Sequence, residues 1–224
     1  MDATLRQMAA QWYGYGRWSA PYWFIGPEPG MASHEGDNSL ERCRAWARLG
    51  SPELLDCIEH HREFGLNKWH GSTPPTQSTW RQLIRLLLAY KGLSTDNDTI
   101  RRYQGAKWGT AGGESAVLEL SSLAARNLGT PRDRHAFQRQ RIETLRFKIL
   151  EYKPAFVVMY GYSNRADWCE LVQTDLVPDK IVMLGPTACV LLRHPVGGKP
   201  AEPASYWIRA GERLREVMGG GSLF

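Results

Sequence analysis

Two rhythms of apolar and polar residues run along this chain. Short unbroken apolar runs occur at Tyr22–Ile25, Val117–Leu120, Ala155–Tyr160, Ile181–Leu184 and Val190–Leu192. Such runs predict strands, and the run led by Pro154 has the character of a strand buried on both faces. Between them lie stretches in which apolar residues recur every three to four positions, the helical period. They predict a first helix over Ala3–Tyr13, two helices within 39–64, and helices over Phe137–Tyr152 and Ala204–Met218. Ser51-Pro52-Glu53 reads as a helix start, with Ser as cap and Pro in the first turn. Ser78 reads as the cap of a helix with Trp80, Leu83, Ile84 and Leu87 on one face, and Gly161–Asn164 opens another helix. A Pro-, Gly- and Thr-rich loop covers 71–77, and a basic loop runs from Ser121 and Ser122 through Arg126 to Arg134.

Strands that alternate with helices predict an α/β fold of three layers, α/β/α. The expected sheet is mostly parallel, with four to five strands. No repeat or linker divides residues 1–224, so one domain is expected. In open sheets of this kind ligands bind beyond the carboxyl ends of the strands. Two loops there carry unusual residues, 26–30 after the first strand and 193–199 after the last.

Composition narrows the partners. The formal charge is +5 and the pI about 9.1. Arg outnumbers Lys by 21 to 7, and there are 9 Trp and 9 Tyr. Guanidinium groups grip phosphate and stack on flat rings, so the bias favours a nucleic-acid partner. No apolar run approaches the length of a membrane span, and the first residues lack a signal-peptide pattern, so the cytoplasm is the expected compartment. Cys43, Cys57, Cys169 and Cys189 form no C-x-x-C pair, and free thiols are expected. No His, Cys or Asp cluster shows ligand spacing, and His60 and His61 should point to different helix faces. The sequence therefore predicts no metal and no other cofactor.

Two motifs carry the candidate chemistry. Tyr-Trp-Phe-Ile-Gly-Pro-Glu-Pro-Gly at 22–30 is a strand followed by a rigid turn, and Leu-Leu-Arg-His-Pro at 191–195 is a strand followed by His-Pro. In this order, near the two ends of a domain of this size, they resemble the two signature motifs of the uracil-DNA glycosylase superfamily. Pro154–Tyr160 and Gly161 resemble the strand between them. The resemblance covers about residues 20–218, with 31–75 resembling a helical insertion. It implies a glycosylase-like fold. It also implies a monofunctional enzyme that flips a pyrimidine out of DNA and hydrolyses its bond to the sugar.

Breaking that bond puts positive charge on the sugar and negative charge on the departing base, so a carboxylate and a hydrogen-bond donor are needed on opposite sides. By position in the motifs these roles fall on Glu28 and His194. Glu28 stands where the family has Asp or Asn, and its extra methylene carries the carboxylate about 1.5 Å further. Gly26, Pro27, Pro29 and Gly30 shape the turn that meets the substrate. The ring beneath the flipped base is assigned to Trp69, with Phe64 as the alternative. The family's base-reading Asn is missing, and its place falls within Leu118-Glu119-Leu120-Ser121-Ser122. Ser121 offers part of that function, and Glu119 would accept from an exocyclic amine such as that of cytosine. The expected base is thus uracil or a modified pyrimidine, including a hypermodified cytosine, in repair or antiviral defence. Arg126, Arg132, Arg134, Arg193, Pro195, Val196 and Lys199 are assigned to DNA, double- or single-stranded, with the protein acting as a monomer. The competing reading is a non-catalytic nucleic-acid binder on the same scaffold. A phosphate loop at 26–30 matches neither G-x-x-x-x-G-K-[ST] nor G-x-G-x-x-G.

Overall fold

A computed structural model describes residues 3–28, 39–122, 131–196 and 202–219, with the backbone alone at 39 and 131–136. The elements run α1 (Ala3–Gln11), β1 (Gly14–Tyr15), β2 (Tyr22–Gly26), α2 (Ser39–Arg48), β3 (Leu54–Leu55), α3 (Cys57–Glu63), α4 (Ser78–Tyr90), α5 (Asn97–Ala106), β4 (Ser115–Glu119), α6 (Pro131–Tyr152), β5 (Phe156–Tyr160), α7 (Arg165–Val172), β6 (Ile181–Leu184), β7 (Thr187–Leu192) and α8 (Ala204–Gly219). The α/β class and the central parallel strands agree with expectation. The sheet, however, has seven strands in the order β3-β1-β4-β2-β5-β7-β6, not four to five. The inner four, β4-β2-β5-β7, are parallel, while β1 and β6 pair antiparallel with β4 and β7.

Side chains alternate across these strands and split the core in two. Phe24, Val117, Phe156, Val158, Tyr160, Val190 and Leu192 face one side, with Leu83, Leu87, Trp207 and Leu214 of α4 and α8. Trp23, Ile25, Leu118, Val157, Met159 and Leu191 face the other, with Ile142, Leu145 and Ile149 of α6 and Trp168 of α7. The chain therefore passes from β2 to β4 through helices on the first face, and from β4 to β5 through α6 on the second. In open α/β sheets ligands bind where the connections reverse in this way, which here is at the carboxyl ends of β4, β2 and β5.

Several local expectations need correction. Ser51 does not start a helix: it has φ of 56°, and 54–55 is β3 at the sheet edge. The start is Asp56, whose carboxylate accepts from the Ile58 and Glu59 amides. For α4 the cap is Gln77, accepting from the Trp80 amide, rather than Ser78. The helix α5 was not foreseen; Asp96 caps it by accepting from Thr99. The expected basic loop is shorter, because α6 begins at Pro131 and takes in Arg132 and Arg134.

Candidate functional site

The register of the parallel strands builds the site. Gly26 pairs with Glu119 on one side, and one step earlier Ile25 pairs with Met159 on the other. Tyr160 in turn pairs with Leu192. Glu119, Gly26, Tyr160 and Leu192 thus form the last row of the sheet, on the face that carries α4 and α8. The same pairing continues past the strands: the Leu120 amide donates to the Gly26 carbonyl at 2.7 Å and the Ser121 amide to the Pro27 carbonyl at 2.9 Å. Pro27 and Glu28 are held beside the end of β4 in this way.

Gly26 is the residue that makes the row possible. A Cβ there would collide with the Tyr160 hydroxyl and lie 2.8 Å from Glu119 Oε2. The carboxyl of Glu119 and the phenol of Tyr160 therefore converge over a bare Cα. Next along, Gly161 has φ of 96°, a left-handed value that favours glycine. A Cβ on Gly161 would lie 3.9 Å from Pro27 and 4.0 Å from His194 Cδ2. The turn after β2 and the turn after β7 thus flank the end of β5. The strands of the two motifs are not neighbours, since β5 lies between them. They are two strand spacings apart, roughly 10 Å, and their loops close over Gly161.

His194 is half-buried, with its ring 5.5 Å from that of Tyr160 in an edge contact. The Val196 amide donates to Nδ1 at 3.3 Å. An imidazole that accepts at Nδ1 carries its proton on Nε2. Desolvation lowers its pKa, which favours the neutral ring. His194 thus presents a neutral Nε2–H donor.

Glu119 is half-buried, but its Oε2 is shielded from solvent and has no hydrogen-bond partner among the described residues. Desolvation pushes its pKa up to about 8; the charge of Glu28 acts in the same direction, and Arg42 and Arg141 oppose it. A pKa raised in this way favours the protonated acid at neutral pH, which is a donor as well as the acceptor that the sequence reading expected. Tyr160 and Tyr15 are likewise held as neutral phenols by desolvation.

A carboxyl with a raised native pKa makes stability depend on pH. Between about 4.5 and 8 the native state holds a proton that the unfolded chain has lost, so this contribution falls as pH rises and is fully present only below the unfolded value. Glu119→Gln removes the ionisable group and keeps a donor and an acceptor. Urea titrations should show the wild type losing stability relative to Glu119→Gln from pH 5 to 9, by an amount on the order of a few kcal/mol. Parallel profiles for the two proteins would mean that Glu119 is ionised in the folded state.

The remaining sequence candidates divide. Phe64 lies on the other side of Arg42 from the strand ends, at the foot of α3. It packs on His60 at 5.0 Å, with the Arg42 guanidinium 5.9 Å from its centroid. Trp69 sits in a 3-10 turn, Asn67–Trp69, with Lys68 over its ring and its carbonyl bound by Gln104. Ser121 lines a recess of about 10 Å³ with Ala9, Phe137 and Arg141, as well as bonding Pro27. Arg193 is exposed but already pairs with Glu202 at 2.9 Å. Pro195 is buried and Val196 exposed. Pro29, Gly30, Arg126 and Lys199 lie outside the described residues, as do the side chains of Arg132 and Arg134.

Tyr160, Arg42, Tyr15 and Arg141 were not anticipated. Tyr160 was detectable as the one polar tip closing an apolar strand. Arg141 is fully buried in α6 and donates to the carbonyls of Leu120 at 2.8 Å, Glu119 at 2.8 Å and Ala9 at 3.1 Å. It fixes the end of β4, and with it the Glu119 backbone. The fold also gathers one group of possible metal ligands that spacing in the sequence does not group. Cys57, His61 and His70 come together beneath α3.

Compared with known proteins, the chain matches no family model, and no curated protein matches it. Among the described residues no helix is long and apolar enough to cross a membrane.

Proposed function

We propose that this protein is a DNA glycosylase that holds an extruded pyrimidine at the ends of β4, β2 and β5 and hydrolyses its bond to the sugar. The observation that supports the reading is His194, whose Nδ1 accepts from the Val196 amide so that Nε2–H is left to donate, beside Gly161 and the turn that carries Glu28. A donor of this kind steadies charge growing on the O2 of a leaving pyrimidine. Glu28, at the mouth of the same row, steadies the sugar cation and directs water.

Protonated Glu119 takes over base reading from the absent Asn. An acid group offers O–H and C=O side by side, as an amide offers N–H and C=O. It can donate to cytosine N3 while accepting from the N4 amine, or accept from uracil N3–H while donating to O4. The uracil-DNA glycosylase resemblance of the two motifs agrees with this assignment. The arrangement contains no lysine in the first motif, so water is the nucleophile and an intact abasic strand the product.

The test is a panel of labelled duplex and single-stranded oligonucleotides carrying uracil, 5-substituted uracils, 5-hydroxymethylcytosine or its glycosylated form. They are incubated with purified protein and scored by alkali-induced cleavage. Alkali-labile breaks at one modified pyrimidine are expected. Tight binding to the same DNAs without breaks would favour the non-catalytic binder instead.

A further inference from the structure

A second group of chemistry-bearing side chains lies beneath α3, at the β1–β3 edge of the sheet. Cys57 opens α3 and His61 follows it by one helical turn, so both occupy the same face of the helix. His70 ends the 3-10 turn Asn67–Trp69 and folds back onto them. The Cys57 thiol stands 4.0 Å from His61 Nε2, and His61 Nδ1 meets His70 Nε2 at 2.8 Å. One donor atom from each of the three residues lies within 4.8 Å of the others. Cys57 and His61 are buried, and the walls are aromatic: Trp80 stacks on His61 at 5.6 Å, while Tyr15 and Phe64 meet its ring edge-on.

Two features go beyond mere proximity. His70 Nδ1 is buried yet has no hydrogen-bond partner among the described residues. The turn that carries His70 is held by its own anchor, since buried Gln104 donates to the carbonyls of Trp69 and Pro75 and accepts from the Gln77 amide. The three donors are therefore presented by two separately fixed elements.

We propose that Cys57, His61 and His70 bind a zinc ion. Tetrahedral zinc, with Zn–S near 2.3 Å and Zn–N near 2.0–2.1 Å, places its donor atoms about 3.3–3.6 Å apart. One donor atom from each residue already lies within 4.8 Å of the others, so side-chain rotations that draw them in to that spacing complete the site. On binding, the Cys57 S–H proton leaves to solvent and the thiolate bonds the metal. One nitrogen lone pair from each histidine makes the second and third bonds, and water fills the fourth position. Asp56 does not compete, because its carboxylate caps α3 and accepts from the Ala111 amide at 2.8 Å. The ion would staple the start of α3 to the Trp69–His70 turn.

The test uses full-length protein stripped with a chelator and titrated with cobalt(II) as the spectroscopic probe. One equivalent should produce a thiolate-to-cobalt charge-transfer band and the visible bands of a tetrahedral ion, and zinc should bleach both. Cys57→Ala should abolish the charge-transfer band, and Cys43→Ala, which removes another buried thiol, should leave it. His70→Gln, at a half-buried position that tolerates change, should keep the fold by circular dichroism and weaken cobalt binding by at least about 10-fold, since loss even of outer partners costs 10–100-fold. Absence of any cobalt bands in folded wild type, or bands that survive both Cys57→Ala and His70→Gln, would overturn the assignment.

Discussion

Replacing His194 by Ala is expected to slow base release by about 10²–10⁴-fold, or roughly 3–5 kcal/mol of transition-state stabilisation. The ring is half-buried at the end of β7, and no helix or strand depends on it. Its loss should leave the denaturation midpoint and DNA affinity near wild type. The effect should fall on the chemical step alone, because the donor becomes useful only as charge builds on the departing base. Glu28→Gln should give a loss of the same order by a different route, since it removes the negative charge that opposes the sugar cation. It also removes one cause of the raised Glu119 pKa. The pH above which activity declines should therefore move downward in Glu28→Gln and stay in place in His194→Ala. Single-turnover rates across pH 6–9 check both statements. Equal, wild-type rates in the two variants would make these residues structural.

Arg141→Met should cost about 3–5 kcal/mol of stability, the range for breaking a buried charged network. The guanidinium serves three backbone carbonyls at once and lies 4.2 Å from the centre of the Tyr13 ring. Methionine fills most of the volume and bonds none of those oxygens, leaving buried acceptors unpaired. Two of the three belong to Glu119 and Leu120, so the end of β4 should loosen first. Excision should then fall even under conditions where the variant is folded. Urea unfolding read by tryptophan fluorescence measures the stability, with Arg139→Ala, an exposed neighbour on α6, expected within about 0.5 kcal/mol of wild type. A shift as small as that in Arg141→Met would show that water replaces the guanidinium.

The inner strands were legible because each is an apolar run with buried residues on both faces, as in Phe156–Tyr160. The strands β1 and β3 were not, since two residues each carry no period to detect. The helix α5 escaped because only Ile100, Tyr103, Gln104 and Gly105 of its ten residues are buried, and two of those are a polar amide and a glycine. Glu28 and His194 were picked out by their place after strands. Glu119 was picked out by its place where the family's Asn is missing; its raised pKa was not, because that depends on the desolvation of the carboxyl in the fold. The sequence reading did not pair Cys57 with His61, although they stand one helical turn apart on α3. His70 joins them only through the fold of the 64–70 turn, which no spacing rule supplies.

The most direct test of the central claim is mass analysis of single-turnover products in ¹⁸O-labelled water, using DNA that carries the pyrimidine most readily attacked. Release of the intact free base is expected, with one ¹⁸O atom retained at the abasic sugar when it is trapped by borohydride reduction. Both products should drop together in His194→Ala. Covalent trapping of the protein on DNA by borohydride, or complete recovery of unmodified DNA from a saturated complex, would contradict it.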